Sequence, residues 1–521
     1  MKKTYLLAAA LLMILSQALT SCVKEDNPAD PTEQPAGPTT PTDPTDQPAG
    51  DNVEAWLKAV PGVTNVTLKT GTNAAGMTGD FYYFDFDQLI DHSNPARGTF
   101  RQRAVLYYKG RDAMTVLHTQ GYNTEEKLEM LVEPSLASIY ETNVLELEYR
   151  YFGTSQPEPL TSIDFSYLSH EQASADLHAF VTAMKQTGRF TGKWISSGVS
   201  KNGVTTAMYA YYSEKNGWSD IDVYVPFVAP FCLSLTDMRP ATYLMEKSAG
   251  IDPEAQKKLK SLGRAIVSDT PLSDRLIATY KQKESGWVET LEKDKGFTKE
   301  KVNQYIAAYS LANYLYNLQS KMMYVAISEW SDIIPDPTGQ TQLDFAEKFI
   351  AMNGDSLTAY LSSIGRARHR AMTDEETLKE RQTYPLFSYD VQVGLEIGSN
   401  DFDFSFAEDC PRLSKDMMKY VLEEQFYSSA RTPKFSARYS NALYTDFLDN
   451  FLPATQKKMV FVYGEQDPWT GAAIPDPTNP NVRKFVVEKG CHNDFINYVK
   501  YCPVATYEKI KGAIDAFLKA E

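Results

Sequence analysis

The feature that most constrains the fold is a β-type run that enters a glycine-bounded turn and leaves it as a helix. Residues 194–197 form the β-type run, Gly198-Val-Ser-Lys-Asn-Gly203 forms the turn, and residues 204–212 read as a helix. A second β-type run follows at 221–228. Strands that alternate with helices predict a mainly parallel sheet with helices on both faces. The chain is therefore predicted to have an α/β fold.

The same alternation extends to both sides of this unit. Two early runs, at 80–89 and 99–108, have the composition of antiparallel strands. Further strands are predicted at 113–117, 143–147, 458–463 and 484–487, and helices at 171–184 and 505–518.

The stretch at 233–441 has a different character. It lacks clear strand patterns, and its helical periodicity is clearest at 257–277, 301–328 and 343–362. We predict one α/β domain, formed by residues 53–232 and 442–521, with a helical cap inserted at 233–441, between the β-type run at 221–228 and the one at 458–463.

Ser200 lies in the turn between the strand and the helix. A serine on such a turn is typical of the nucleophile elbow of α/β-hydrolases, with the pattern G-x-S-x-G. Small neighbours are needed because strand and helix approach closely, and the helix N terminus directs N–H groups toward developing negative charge. Here Asn202 takes the second glycine position, and asparagine tolerates unusual backbone angles. By itself the motif is equally compatible with an ordinary tight turn.

The order of two further polar residues favours the catalytic interpretation. Asp467 follows the first C-terminal β-type run, and His492 follows the second. An α/β-hydrolase carries its triad in the order Ser, Asp, His, each on a loop after a strand. Of six histidines in the chain, His492 is the one in the required loop. Glu465 and Asp494 are alternatives to Asp467, which follows its strand at the more suitable distance.

These three residues predict a mechanism. The histidine takes the serine proton as general base, and the aspartate holds the imidazole in the required tautomer. The oxyanion needs two backbone N–H donors. Lys201, the residue after the nucleophile, is predicted to supply one, and Gly121 or Tyr122, after the strand at 113–117, the other.

Several segments carry a family resemblance. They are the motifs Gly198-Val-Ser-Lys-Asn-Gly203, Gly464-Glu-Gln-Asp-Pro-Trp469 and Gly490-Cys-His492, with Thr119-Gln-Gly-Tyr122, Glu148-Tyr-Arg-Tyr-Phe152, Tyr167-Leu-Ser-His-Glu-Gln-Ala173, Asp176, Gln392, Glu396 and Gly398. Together they resemble the secreted bacterial tripeptidyl aminopeptidases, α/β-hydrolase serine peptidases related to prolyl carboxypeptidase and dipeptidyl peptidase II. That family often has His in place of Tyr149 and Gly in place of Asn202. The resemblance implies an enzyme that releases tripeptides from free N termini.

An aminopeptidase must bind the ammonium group of its substrate with a carboxylate at a fixed distance from the nucleophile. The resembling segments imply Glu148 and Glu396 for this role. For Glu148, a structural pair with Arg150 or another neighbour is the alternative. The Lys201 side chain could contact substrate or pack beside the elbow. A cap at 233–441 would roof the site, so that only a chain end enters.

The first 21 residues have the pattern of a signal peptide, with two lysines before an apolar stretch too short to span a bilayer. Leu19-Thr-Ser-Cys22 resembles a bacterial lipobox, in which the cysteine becomes the lipid-carrying N terminus; a plain signal peptide is the alternative. Residues 23–26 resemble the tag of surface-displayed lipoproteins. Residues 22–52 are rich in Pro, Thr and Asp and predict an extended tether. We expect an exported lipoprotein of the outer membrane, displayed at the cell surface.

The net charge and the cysteine spacing limit the kinds of partner and cofactor that the chain is expected to bind. A net charge of -15 argues against nucleic acid. Cys232, Cys410, Cys491 and Cys502 allow three full pairings, or one bridge with two free thiols, and lack zinc spacing. No metal or other cofactor is expected.

The expected partners are peptides with free N termini and the membrane, through a lipid on Cys22. An exported esterase or lipase on this fold, and a non-catalytic lipoprotein that binds peptide or glycan, are the alternatives.

Overall fold

The computed structural model of the protein describes residues 52–131, 136–267, 374–400, 437–492 and 504–520, with shorter stretches at 298–304 and 325–334 and some single positions. The signal, Cys22 and most of the tether lie outside these ranges. So do the predicted helix at 343–362 and most of that at 301–328.

The strands of the described residues are β1 Val63–Thr72, β2 Thr78–Leu89, β3 Thr99–Tyr107, β4 Thr115–Thr119, β5 Asn143–Leu147, β6 Trp194–Val199, β7 Val223–Phe227, β8 Thr236–Asp237, β9 Ser399–Asn400, β10 Met459–Gly464 and β11 Val482–Val487. Nine of them form one sheet in the order β1-β2-β3-β5-β4-β6-β7-β10-β11. The two short strands β8 and β9 pair with each other.

The sheet is antiparallel at one side and parallel over the rest. β1, β2 and β3 pair antiparallel, and β3 joins antiparallel to β5. From β5 through β4, β6, β7, β10 and β11 every pairing is parallel. Since the carboxyl ends of parallel strands share one edge, the loops after β4, β6, β10 and β11 come out on the same side.

Helices cover both faces of the parallel part, which explains its continuous apolar strands. In β10, Phe461 and Tyr463 belong to one core cluster, and Val460 and Val462 to another. The first cluster includes apolar residues of the helices at 170–186 and 201–215, and the second includes Ile510 of the C-terminal helix. Side chains that alternate between two buried faces give the unbroken apolar pattern of a covered parallel strand.

The helices complete the element order. They are α1 Val53–Lys58, α2 Leu136–Tyr140, α3 His170–Gln186, α4 Lys201–Lys215, α5 Arg239–Ile251, α6 Pro253–Val267, α7 Trp330–Ile333, α8 Asp374–Thr383, α9 Phe387–Gln392, α10 Ala442–Asp446, α11 Leu452–Ala454 and α12 Val504–Lys519, with 3-10 turns at Pro95–Arg97, Leu128–Met130, Ile327–Glu329 and Pro468–Ala472 and π-helical turns at Val393–Ile397 and Phe447–Phe451. None of the helices within the described ranges combines the length and apolarity needed to cross a bilayer.

The predicted α/β-hydrolase fold is confirmed by this sheet and by the strand–turn–helix unit β6–α4. Strand β1 was not predicted, because Thr, Lys and Asn residues interrupt its apolar pattern at the sheet edge. Within the predicted cap the described residues are mainly helical, but β8 pairs with β9 in parallel. The cap boundaries at 233 and 441 stay a prediction.

Candidate active site

Ser200 occupies the sharp turn between β6 and α4. Its backbone has φ 61° and ψ -125°, a conformation that L residues rarely adopt, and its N–H donates to Phe227 O over 2.9 Å. A Cβ atom at Gly198 would lie 2.5 Å from Asn202 O, and one at Gly203 would lie 2.6 Å from Phe227 O. Both glycines are therefore needed for the close approach of strand and helix. This is the geometry of a nucleophile elbow.

Asp467 and His492 form a buried pair at the same edge of the sheet. Asp467 follows β10, His492 follows β11, and the distance from His492 Nδ1 to Asp467 Oδ2 is 2.8 Å. The other carboxylate oxygen accepts a hydrogen bond from Trp469 N–H over 2.9 Å, which fixes the orientation of the carboxylate. The alternative Glu465 accepts from Lys489 N–H instead, and Asp494 lies outside the described residues.

Ser200 lines a cavity whose wall also includes Trp469, the residue that packs on His492. The indole of Trp469 and the His492 imidazole have 4.4 Å between ring centroids. Much of the rest of the wall is formed by the aromatic side chains of Tyr122, Tyr389 and Tyr444, and Cys232 lies beside them. Of the three predicted catalytic residues, Ser200 lines the cavity itself, and the Asp467–His492 pair adjoins its wall through Trp469.

The oxyanion donors need a correction. The Gly121 N–H donates to the side chain of Asn202, with 2.7 Å between nitrogen and Oδ1, so it is not available to a substrate. The Tyr122 N–H donates to no acceptor in the described part of the chain, and Tyr122 lines the cavity. The Lys201 N–H lies in the first turn of α4, where helical N–H groups have no intrahelical acceptor. Of the predicted donors, Lys201 and Tyr122 remain.

Glu148 does not fit the role of an ammonium anchor. Its side chain is fully buried, and one oxygen accepts from Thr124 N–H over 2.9 Å. The other accepts from Thr154 N–H and Ser155 N–H, each over 3.0 Å, and from Ser155 Oγ over 2.6 Å. This carboxylate binds two backbone loops together. Nor does it pair with Arg150, whose guanidinium forms a two-point ion pair with another acid, Asp176.

Glu396 is placed more suitably. It precedes Ile397 and Gly398, which line the cavity, and its side chain is 16% exposed. Its Oε1 accepts from His170 N–H over 2.9 Å and from Gln392 Nε2 over 2.8 Å. Burial raises the pKa of Glu396 to about 7, against the lowering effect of these two hydrogen bonds. The carboxylate is therefore fixed in position beside the cavity and gains from a cationic partner.

Sequence reasoning missed part of the cavity wall. Tyr389, Tyr444 and Cys232 come from separate parts of the chain, whereas other lining residues belong to the recognised segments; these are Tyr122, Ser200, Lys201, Gly398 and Trp469. It also misjudged Asn202, which lies in α4 without a positive φ. What distinguishes asparagine here is its side-chain hydrogen bonds, and the periodicity of a sequence does not predict such bonds.

Cys232 and Cys491 are both buried. Cys232 is a free thiol, so every disulfide pairing that includes Cys232 is wrong. Cys410 and Cys502 lie outside the described residues. In the described part of the chain, no group of three or more His, Cys, Asp or Glu side chains is arranged to hold a metal ion.

Comparison with known families decides the class of protein. Residues 47–342 match the PS-10 peptidase S37 family. The chain belongs to this family. It is a serine peptidase of the α/β-hydrolase fold. Over 400 residues it is 27% identical to prolyl tri/tetrapeptidyl aminopeptidase of Streptomyces mobaraensis, a match that covers 74% of this chain and 69% of that protein.

Other similarities are shorter or weaker. Serine protease vicPb of Bipolaris victoriae is 31% identical over 109 residues, which are 19% of this chain and 20% of that protein. Among solved structures, the rice cell wall degrading esterase LipA from Xanthomonas oryzae is 10% identical, with 87% of this chain and 96% of that chain covered and a TM-score of 0.33. A TM-score of this size is too low to establish a shared fold, so the fold is assigned from the sheet and the nucleophile elbow.

Proposed function

We propose that the protein is an exported serine aminopeptidase that releases short peptides, tripeptides foremost, from free N termini. The observation that carries this proposal is the buried Asp467–His492 pair at the sheet edge where Ser200 adopts its strained turn. Membership of a serine peptidase family supplies the reaction class. The name of the Streptomyces mobaraensis relative, prolyl tri/tetrapeptidyl aminopeptidase, supports the release of three or four residues per cut.

The proposed chemistry is acyl transfer through Ser200. The neutral His492 imidazole takes the Ser200 proton as Oγ attacks the carbonyl carbon of the scissile bond, and Asp467 stabilises the imidazolium. The oxyanion accepts hydrogen bonds from the N–H groups of Lys201 and Tyr122. The imidazolium then gives its proton to the leaving amine, and water repeats the sequence on the acyl-enzyme.

Glu396 is the proposed anchor for the substrate ammonium group. Its carboxylate is oriented by hydrogen bonds from His170 N–H and Gln392 and lies next to residues of the cavity wall. An ammonium partner would favour the charged form that burial disfavours. A fixed distance between this anchor and Ser200 would set how many residues are released.

The direct test is mass spectrometry of the products formed from matched peptides with free and with N-acetylated N termini. We expect N-terminal tripeptides from the free peptides and little or no cleavage of the acetylated ones. Equal cleavage of both, or cuts in the middle of intact proteins, would show that the proposal is wrong. Turnover of esters without turnover of any peptide would favour the esterase alternative.

We also propose that a lipid on Cys22 attaches the protein to the outer membrane, with residues 22–52 as tether. The support is the order Leu19-Thr-Ser-Cys22 after the apolar stretch. Cys22→Ala should move the protein from the membrane fraction to the soluble fraction of the producing cells. An unchanged membrane fraction would rule out the lipid anchor, whereas the peptidase activity of the released protein should stay the same.

A further inference from the structure

The two residues after Ser200 contact the loop that follows β4. We name residues Thr119–Tyr122 the oxyanion loop. Asn202 Oδ1 accepts from Gly121 N–H over 2.7 Å, and Asn202 Nδ2 donates to Gln120 Oε1 over 3.1 Å. The backbone O of Asn202 also accepts from Thr119 Oγ1 over 2.9 Å. Three bonds from one residue of α4 therefore fix this loop against the nucleophile helix.

Lys201 also contacts this loop. Its Nζ donates a hydrogen bond to Gly121 O. The aromatic rings around Nζ are Tyr149, at 4.1 Å, and Tyr122 and Phe152, each at 4.9 Å. Lys201 is 5% exposed. Burial lowers the pKa of Lys201 to about 7, and the ring faces and the carbonyl oxygen favour its ammonium form against this effect. The enclosed side chain has little freedom to follow a substrate.

These contacts hold two consecutive peptide groups: Asn202 binds the N–H of the Gln120–Gly121 peptide, and Lys201 binds the carbonyl oxygen of the Gly121–Tyr122 peptide. Gly121 O and Tyr122 N–H belong to the same peptide bond, so fixing the carbonyl also fixes the direction of the N–H. An ammonium group at the carbonyl end further polarises the peptide, which strengthens its N–H as a donor. Because Asn202 takes the Gly121 N–H, the following N–H is the one left for a substrate oxygen.

We infer that Lys201 and Asn202 are positioning residues that hold the Gly121–Tyr122 peptide so that Tyr122 N–H serves as the second oxyanion donor. This inference rests on the proposed serine mechanism. It gives a physical reason for Asn202 at the position where the usual elbow has glycine, since glycine has no side chain to bind the loop. It also gives the Lys201 side chain a role that does not require contact with substrate.

Two variants test the inference, Asn202→Gly and Lys201→Met. Asn202→Gly restores the usual elbow sequence, and Lys201→Met keeps an unbranched apolar chain among the aromatic rings. Loss of an oxyanion donor costs enzymes roughly 100- to 1,000-fold in kcat, and for a misplaced donor we expect a loss of roughly 10- to 100-fold. For Asn202→Gly, KM should stay within about twofold, because the oxyanion forms only in the transition state. Lys201→Met also removes a charge that acts on Glu396, so the kcat of this variant is the quantity compared.

A matched control lies on the same helix. Lys215, the last residue of α4, also has its Nζ near aromatic rings, at 5.6 Å from Tyr211 and 5.7 Å from Tyr212. Lys215→Met should leave kcat unchanged. A peptide boronate, whose tetrahedral adduct places an oxygen in the oxyanion site, should bind both test variants more weakly by the same factor as kcat falls. A purely structural role would not couple these two quantities.

The outcomes separate this inference from the proposed function. Hydrolysis by Ser200→Ala at the wild-type rate would contradict the proposed function itself. If Ser200→Ala is inactive but Asn202→Gly and Lys201→Met keep wild-type kcat and boronate affinity, the positioning role is wrong. A loss confined to KM would also overturn it, since it would place these side chains in substrate binding. If Lys201→Met does not fold, Asn202→Gly decides alone.

Discussion

Replacing Glu396 with glutamine tests how the enzyme selects free N termini. The amide is isosteric, and its Oε1 can still accept from His170 N–H and Gln392, which now bond over 2.9 and 2.8 Å. The change therefore removes charge with little change in packing. A hydrogen bond between charged groups contributes about 1.5–3 kcal/mol, so kcat/KM for free peptides should fall about 10- to 150-fold.

The assay compares initial rates on free and N-acetylated versions of one peptide. Because the anchor is proposed to act in binding, the loss should come mainly through KM, and the preference for the free peptide should disappear. The matched control is Glu171→Gln, an exposed acid on α3 whose charge also acts on Glu396. The reasoning is refuted if Glu396→Gln keeps its preference for free peptides, or if Glu171→Gln loses it equally.

Three further predictions use the buried charges. Asp467→Asn should lower kcat by about 10⁴-fold, measured at saturating peptide, because His492 loses the acceptor that orients its imidazole; a loss under tenfold would contradict this. Burial raises the pKa of Glu396 to about 7, so the ratio of kcat/KM for free over acetylated peptide should fall as pH drops below about 7, whereas a ratio independent of pH would count against the anchor. Arg150→Met should destabilise the fold by about 3–5 kcal/mol in urea unfolding, because the Asp176 carboxylate is left buried without its guanidinium partner; a change below 1 kcal/mol would contradict this.

The sequence predicts the sheet and the triad well because both leave strong local signals. Strands such as β10 are short, continuous apolar runs, since both of their faces are buried. Ser200 directly follows β6, Asp467 and His492 follow β10 and β11 after a short loop, and their order along the chain is the one an α/β-hydrolase requires. Strand β1 is not predicted from the sequence, because one of its faces is largely exposed and carries polar residues.

The roles of individual side chains were less predictable, because they depend on contacts between distant segments. Glu148 has the chemistry of an ammonium anchor, but the N–H groups of Thr124 and Ser155 saturate it in the interior. The sequence favours Gly121 and Tyr122 equally as oxyanion donors, and the structure separates them because the side chain of Asn202 accepts the Gly121 N–H. Neither contact follows from spacing or periodicity.

Covalent trapping tests the central claim that Ser200 is the nucleophile. The protein would be treated with a fluorophosphonate, digested, and the modified peptide identified by mass spectrometry. We predict a single stoichiometric adduct on Ser200, no adduct in Ser200→Ala, and loss of peptide hydrolysis in parallel with labelling. An adduct on another residue, or hydrolysis by Ser200→Ala at the wild-type rate, would contradict the account.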